Sequence, residues 1–230
     1  MKKAILSIFA AVMLMTSSTA AVNPAQAKEF ISKLISEGIL FWKDKPYDEQ
    51  VVKFREVMET KFDLDGIAKR TIGEKLWGYM DTKQRSHYVA AFRQMLLNRY
   101  SKKFSNYGGQ NIIVMDASPS VKTFPIGVDS PEPQPQIVVT SELRNSGGSP
   151  TKIEWFVGEE NGKPTITDIT MAGPSMVSTE QATFTGIQRS PENLKNARET
   201  CKNAGAGMNK CVADQLTQEV MKYMLSGNSN

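Results

Sequence analysis

Residues Asp81 to Tyr107, DTKQRSHYVAAFRQMLLNRYSKKFSNY, decide how the rest of the chain is read. Tyr88, Phe92, Leu96, Tyr100 and Phe104 recur every four residues, and Val89, Met95 and Tyr107 widen the same stripe. That spacing predicts an amphipathic helix with one apolar face. Arg85, Arg93, Asn98 and Lys102 fall between the stripe positions and can face water. Asp81, with Gln84 three residues on, predicts an N-cap in the manner of a capping box. Gly108-Gly109 predicts the stop. The stripe is rich in aromatics and holds no catalytic pair. It reads as a core-facing helix, or as one wall of a cavity for something apolar.

Upstream, the pattern is helical throughout. Residues 28 to 44 carry Phe30, Ile31, Leu34, Ile35 and Phe41 or Trp42 on one side, until Pro46 interrupts. A second helix from about Asp48 carries Val51, Phe54, Met58 and Phe62. Asp63 caps a short third helix with Ile67, Ala68 and Ile72. Gly73, Leu76-Trp77 and Gly78 then lead into the long helix.

Downstream, the pattern becomes extended. Residues 111–117, 136–143, 152–158 and 165–171 are short, β-branched runs separated by turn residues, including Glu160-Asn161-Gly162-Lys163-Pro164. They predict an antiparallel meander. Val121 to Asp129 offers a further edge strand, demoted by Pro125, beside the Pro-rich loop at 130–136. On the strand KIEWFVG, Trp155 and Phe156 must point to opposite faces, so both faces are apolar there. Residues 174–189 return to helix, with Ser178 or Thr179 as cap and Phe184 and Ile187 inward. From Pro191 two helices flank residues 203–207, the last with Val212, Leu216, Val220 and Met224 in a stripe. Helices first and strands second predict an α+β fold with helices packed on one sheet face and a C-terminal helical tail.

The first 27 residues read as an address. Lys2-Lys3, an apolar run from Ala4 to Met15 and Ala25-Gln26-Ala27 match a cleaved secretory signal. Cleavage there leaves 203 residues from Lys28, enough for one substantial core. It also lowers the net charge from +4 to +2. So balanced a chain, with its basic residues dispersed, argues against nucleic acid but allows brief visits to anionic membranes. Cys201 and Cys211, the only cysteines, predict a disulfide in an exported protein. The expected organisation is thus a leader at 1–27, an α+β domain at 28–190 and a cysteine-tied helical extension at 191–230.

Catalytic signals are scarce. His87 is the only histidine, which excludes a multi-histidine metal site. No phosphate-binding loop, zinc-binding helix or nucleophile elbow is present. Asp63 with Asp65, and Glu159 with Glu160, read as a cap and a hairpin loop. Asp116 and Asp168, on strands, are the carboxylates an enzyme reading would need buried. No metal, cofactor or catalytic residue is expected. What remains is apolar: Met58, Met95, Met171 and Met176 are adaptable fillers of a core or of a pocket for flexible ligands.

One spaced pattern runs through these elements. Its first half is Phe62-Asp63, Ile67-Ala68, Gly73, Leu76-Trp77, Gln84-Arg85, Tyr88, Ala91-Phe92, Leu96, Tyr100 and Tyr107. Its second half is Val138-Val139, Ile153-Glu154-Trp155, Ile169, Gly173, Ser175-Met176, Thr179, Phe184 and Ile187. Over about residues 45 to 190 the chain resembles the MlaC, or toluene-tolerance, family of periplasmic phospholipid-binding proteins. The resemblance implies a cystatin-like roll with extra helices. It also implies a monomeric periplasmic carrier that holds acyl chains between helices and a curved sheet and catalyses no bond cleavage. The implied partners are phospholipid, an inner-membrane ABC transporter with a substrate-binding ring, and an outer-membrane lipoprotein–porin complex. The stripes and the resemblance together nominate Leu76, Trp77, Tyr88, Phe92, Leu96, Tyr100, Trp155, Ile169, Met171, Met176 and Phe184 as the lipid-contacting set. The Pro-rich insert and the cysteine-tied tail depart from the family pattern. A hopanoid-type lipid carrier, a small enzyme acting on an apolar substrate and a protein-binding adaptor are the competing readings.

Overall fold

The computed structural model describes residues 22–42, 45–105, 111–122, 134–144 and 149–226. Among them the order is α1 (Pro24–Trp42), α2 (Tyr47–Lys61), α3 (Leu64–Ile72), α4 (Glu74–Tyr79), α5 (Thr82–Ser105), β1 (Asn111–Lys122), β2 (Gln134–Arg144), β3 (Thr151–Glu160), β4 (Lys163–Met171), α6 (Met176–Arg189), α7 (Pro191–Cys201) and α8 (Met208–Leu225). The expected α+β class is borne out: helices combine with one four-stranded antiparallel sheet of order β1-β2-β3-β4. The glycine stop of α5, the 123–129 part of the edge strand, the 130–133 part of the Pro-rich loop, Tyr107 and the Phe104 side chain lie outside the described residues, while 134–136, expected as loop, already pair with β1 as the start of β2. None of the described helices is long and apolar enough to cross a membrane.

The local chemistry explains most boundaries. Asp81 Oδ1 accepts from the Gln84 amide at 2.8 Å, and Gln84 Oε1 accepts from the Asp81 amide at 2.9 Å, so the capping box of α5 is present. Asp63 Oδ1 accepts from the Gly66 amide at 2.8 Å and starts α3. The α6 cap is Ser175, not Ser178 or Thr179: Ser175 is extended, and its Oγ accepts from the Ser178 amide at 3.1 Å. Gly173-Pro174 ends the extended run early enough that Met176 already begins the helix. Asn161 and Gly162, with φ of 51° and 75°, form the two-residue turn between β3 and β4. Both dihedrals lie in the left-handed region, the arrangement that joins right-twisted strands without splaying them.

The apolar residues form two cores. One is helical and contains Phe54, Met58, Ile67, Leu76, Tyr88, Phe92, Met95, Leu96, Met176, Phe184, Leu216, Val220 and Met224. Within it Tyr88 stacks on Phe92, with ring centroids 6.3 Å apart, and Phe92 meets Phe184 edge-on at the same separation. The other core lies between α1 and one sheet face: Ala27, Ile31, Leu34 and Ile35 against Ile137, Val139, Ile153, Trp155, Val157 and Ile166. Strand register makes that face, because Val139, Trp155 and Ile169 are direct neighbours across three strands. Phe156 takes the opposite face beside Val138 and Asp168, and is buried as well. Helix α1 begins at Pro24, ahead of the expected cleavage point, with Ala27 fully buried.

The helical half is fastened to β4. Phe62 bridges Ile166 in parallel, and the Asp63 amide donates to the Ile166 carbonyl at 3.0 Å. Arg70 Nη2 donates to the Thr167 carbonyl at 3.0 Å, while its Nη1 meets Asp63 Oδ2 at 3.2 Å. Burial lowers the Arg70 pKa against the opposing pull of Asp63. At the C-terminus, Cys201 and Cys211 form the expected disulfide, with Cα atoms 5.8 Å apart, and tie α7 to α8. Helix α8 is no loose appendage, since Leu216, Val220 and Met224 complete the helical core.

Asp63 serves both the cap and the Arg70 pair. Asp63→Ala is expected to cost about 1–2 kcal/mol from the cap alone, with a further loss from the stranded guanidinium. Asp63→Asn, which keeps the cap acceptor, is expected to cost less. Denaturant unfolding of the three proteins checks the order.

Candidate functional site

The nominated lipid-contacting residues divide between the cores. Tyr88, Phe92, Leu96, Met176 and Phe184 are buried in the helical core with Leu76, and Trp77 and Tyr100 pack partly buried against it. Trp155 belongs to the sheet core, where its Nε1 donates to Ser141 Oγ at 2.9 Å. Ile169 touches both cores. Met171, at the end of β4, is 56% exposed and joins neither. The set therefore gathers on the two sides of a seam. Among the described residues, Phe62 and Ile169 are the partly buried apolar side chains that pack against both cores.

Polar groups hold the helical side of the seam in place. Glu180 on α6 is fully buried and pairs with Arg99 of α5. Arg99 Nη2 donates to the Tyr223 hydroxyl at 3.0 Å, and the Tyr100 hydroxyl donates to Glu180 Oε1 at 3.4 Å. Three helices, α5, α6 and α8, are thus locked by one charge pair. Burial works against the Arg99 charge, but the hydrogen bond and charge of Glu180 outweigh it, so its pKa is raised. Burial pushes both Tyr100 and Tyr88 well above the ordinary tyrosine range, with Glu180 adding to each shift. The stripe pattern did not identify Arg99 or Glu180. A charged residue beside an aromatic stripe looks solvent-facing when its partner is remote in the sequence.

A groove of about 550 Å³ lies between the α3–α4 junction, α6 and the α7–α8 hairpin. Of the nominated residues only Leu76 lines it. A cleft of about 220 Å³ separates α1 from α2, between Leu34, Glu37 and Gly38 on one side and Glu56, Val57 and Thr60 on the other.

The carboxylates nominated for an enzyme have other roles. Asp116 is exposed. Asp168 is fully buried, and its Oδ1 accepts from the Val177 amide at 3.0 Å and from the Ile169 amide at 2.8 Å. It joins β4 to the first turn of α6. His87 is exposed, and the described residues hold no cluster of three or more side chains suited to a metal.

A family model described as MlaC protein matches residues 43–196. The chain belongs to the MlaC family. The resemblance read from residues 45 to 190 is therefore borne out, and the matched segment runs from before α2 into α7. No curated protein matches the chain. Among solved structures, the phospholipid-binding protein from Ralstonia solanacearum, determined in complex with a phospholipid, shares the fold. The TM-score is 0.54 at 14% identity, covering 84% of this chain and 98% of that one. As an MlaC-family chain, this protein keeps its fold against a neighbour of very different sequence, which leaves side-chain detail to its own residues.

Two expectations follow from the buried polar groups. Glu180→Leu leaves Arg99 unpaired and is expected to cost about 3–5 kcal/mol, most of it recovered when Arg99→Met is added. Denaturant unfolding of the single and double variants reads the difference. Because both tyrosines resist ionisation only while folded, stability is expected to hold below the ordinary tyrosine pKa of about 10 and to fall as pH rises above it. The check is alkaline titration, with phenolate absorbance from these residues emerging together with loss of helicity.

Proposed function

We propose that the chain is a periplasmic phospholipid carrier whose acyl chains enter the seam between the two apolar cores. The seam itself is the observation that carries this reading. Among the described residues the two apolar cores are joined by the partly buried side chains of Phe62 and Ile169, so parting them costs less than breaching either core. Family membership supports the reading, and so does the fold shared with a protein that holds a phospholipid. The nominated residues divide by role. Trp155 and Ile169 line the sheet side, while Tyr88, Phe92, Leu96, Tyr100, Met176 and Phe184 line the helical side. Trp77 packs against the helical core, Leu76 faces the separate groove, and Met171 is exposed beyond the end of the seam-lining strand residues.

The energetics favour a dry container. A phospholipid leaving a bilayer exposes roughly 30 methylenes, each costing on the order of 0.8 kcal/mol in water. Acyl chains bring no hydrogen-bonding groups, so apolar walls suffice and catalytic machinery is superfluous. The leader at 1–27 and the Cys201–Cys211 pair support an oxidising, exported location. There the carrier would exchange lipid with an inner-membrane ABC transporter bearing a substrate-binding ring and with an outer-membrane lipoprotein–porin complex. No covalent step and no cofactor enter this account.

The test is native-ligand recovery. Protein purified without detergent is expected to yield about one phospholipid per chain by mass spectrometry of the organic extract. Ile169→Trp, at a partly buried seam position, is expected to lower loading severalfold while the chain stays folded. Absence of stoichiometric lipid, together with failure to take lipid from vesicles, would exclude the carrier reading.

A further inference from the structure

The solvent-open groove of about 550 Å³ carries a second chemistry. Its floor is apolar, built from Ile72, Leu76, Leu194, Val212 and Leu216 of four helices. Three cations border it, each from a different helix: Lys75 of α4, Arg189 of α6 and Arg198 of α7. All three are exposed, and none has an ion-pair partner among the described residues. Glu74, the one acid in the lining, is already committed to Lys69 at 2.9 Å. No strand residue lines the groove, and neither does any of Tyr88, Phe92, Leu96, Tyr100, Trp155, Ile169, Met176 and Phe184, so it is separate from the seam.

An apolar trough bordered by uncommitted cations complements a molecule with an oily tail and an anionic head. Size limits the tail. If a methylene occupies about the volume of a water, roughly 30 Å³, the groove holds about 18 such groups. That is one acyl chain with a small head, not the two chains of a phospholipid. The volume also falls inside the range of small-ligand sites. We propose that this groove is a second binding site, specific for a single-chain anionic amphiphile whose phosphate or carboxylate sits among Lys75, Arg189 and Arg198. The disulfide-tied hairpin supplies one wall, through Met208, Asn209 and Val212. Because the cations are exposed, binding weakens as salt rises.

Two lipids share this chemistry, a lysophospholipid and a fatty acid, and the experiment separates them. The full chain is titrated by calorimetry with palmitoyl lysophosphatidylglycerol and with palmitate, each below its micelle threshold, and with inorganic phosphate. One equivalent of either amphiphile is expected to bind, with inorganic phosphate giving no measurable heat at the same concentration. The amphiphile that binds identifies the source. Arg189→Glu/Arg198→Glu, two changes at exposed positions, is expected to weaken binding about tenfold or more. Val212→Trp, which fills the floor, is expected to do the same without charge change. Vesicle-derived phospholipid loading is expected to stay at the wild-type level in both variants. The proposal is overturned if neither amphiphile binds stoichiometrically or if both variants bind as wild type does. It is equally overturned if bound phospholipid displaces the amphiphile one for one, which would mean a shared site. Failure of the wild-type chain to load phospholipid, with amphiphile binding intact, would instead count against the carrier function and leave the groove standing.

Discussion

The outer edge of β4 holds this molecule together. An edge strand exposes a row of backbone donors and acceptors that must be satisfied, and here the helical half satisfies them. Phe62 and Asp63 add a short parallel bridge, Arg70 reaches the Thr167 carbonyl, and Thr165 Oγ1 donates to the Lys61 carbonyl at 3.3 Å. From the other side, Asp168 binds the first turn of α6. These contacts are directional and specific, while those across the seam are apolar and shape-dependent. The joint therefore fixes where the halves meet, and on the proposed carrier reading it leaves their apolar surfaces free to separate. A container for a chain-like ligand needs that division of labour: a polar hinge line and a greasy interior that is not hydrogen-bonded shut.

The helical half is stiffened from within by a different device. Arg99, Glu180 and Tyr223 lock α5, α6 and α8 through groups taken out of water, where a lone charge would be costly. The pair contributes little net stability over an apolar equivalent, but it permits one arrangement of the three helices. The disulfide acts on the same helix α8 from its N-terminal end. Together they make the tail part of the helical wall.

Much of this was legible in the residues. The four-residue recurrence from Tyr88 to Tyr100 marked α5, the Asp81–Gln84 pair marked its start, and Asn161-Gly162 marked a tight hairpin. These signals are local, and periodicity reports them directly. The alternation on KIEWFVG correctly required two buried faces. Periodicity does not say which surface a buried face meets, so the division into two cores could not be read, nor which stripe residues border the seam. Met171 looked apolar enough for the interior, yet the strand ends there and its side chain meets solvent. Arg99 and Glu180 were invisible because each looks ordinary without the other. The groove was equally hidden, since it exists only where a tail helix lies against the α3–α4 junction.

The edge of β4 also has a temporal meaning. Arg70 and Thr167 lie 97 residues apart in the chain, and Lys61 and Thr165 lie 104 apart. Each hairpin and helix can form from neighbours, but this closure must bring together remote stretches and bear the entropy of the loop between them. The nascent protein therefore acquires its local elements early and its union of halves late. The line along which the two halves meet is the last one the chain assembles.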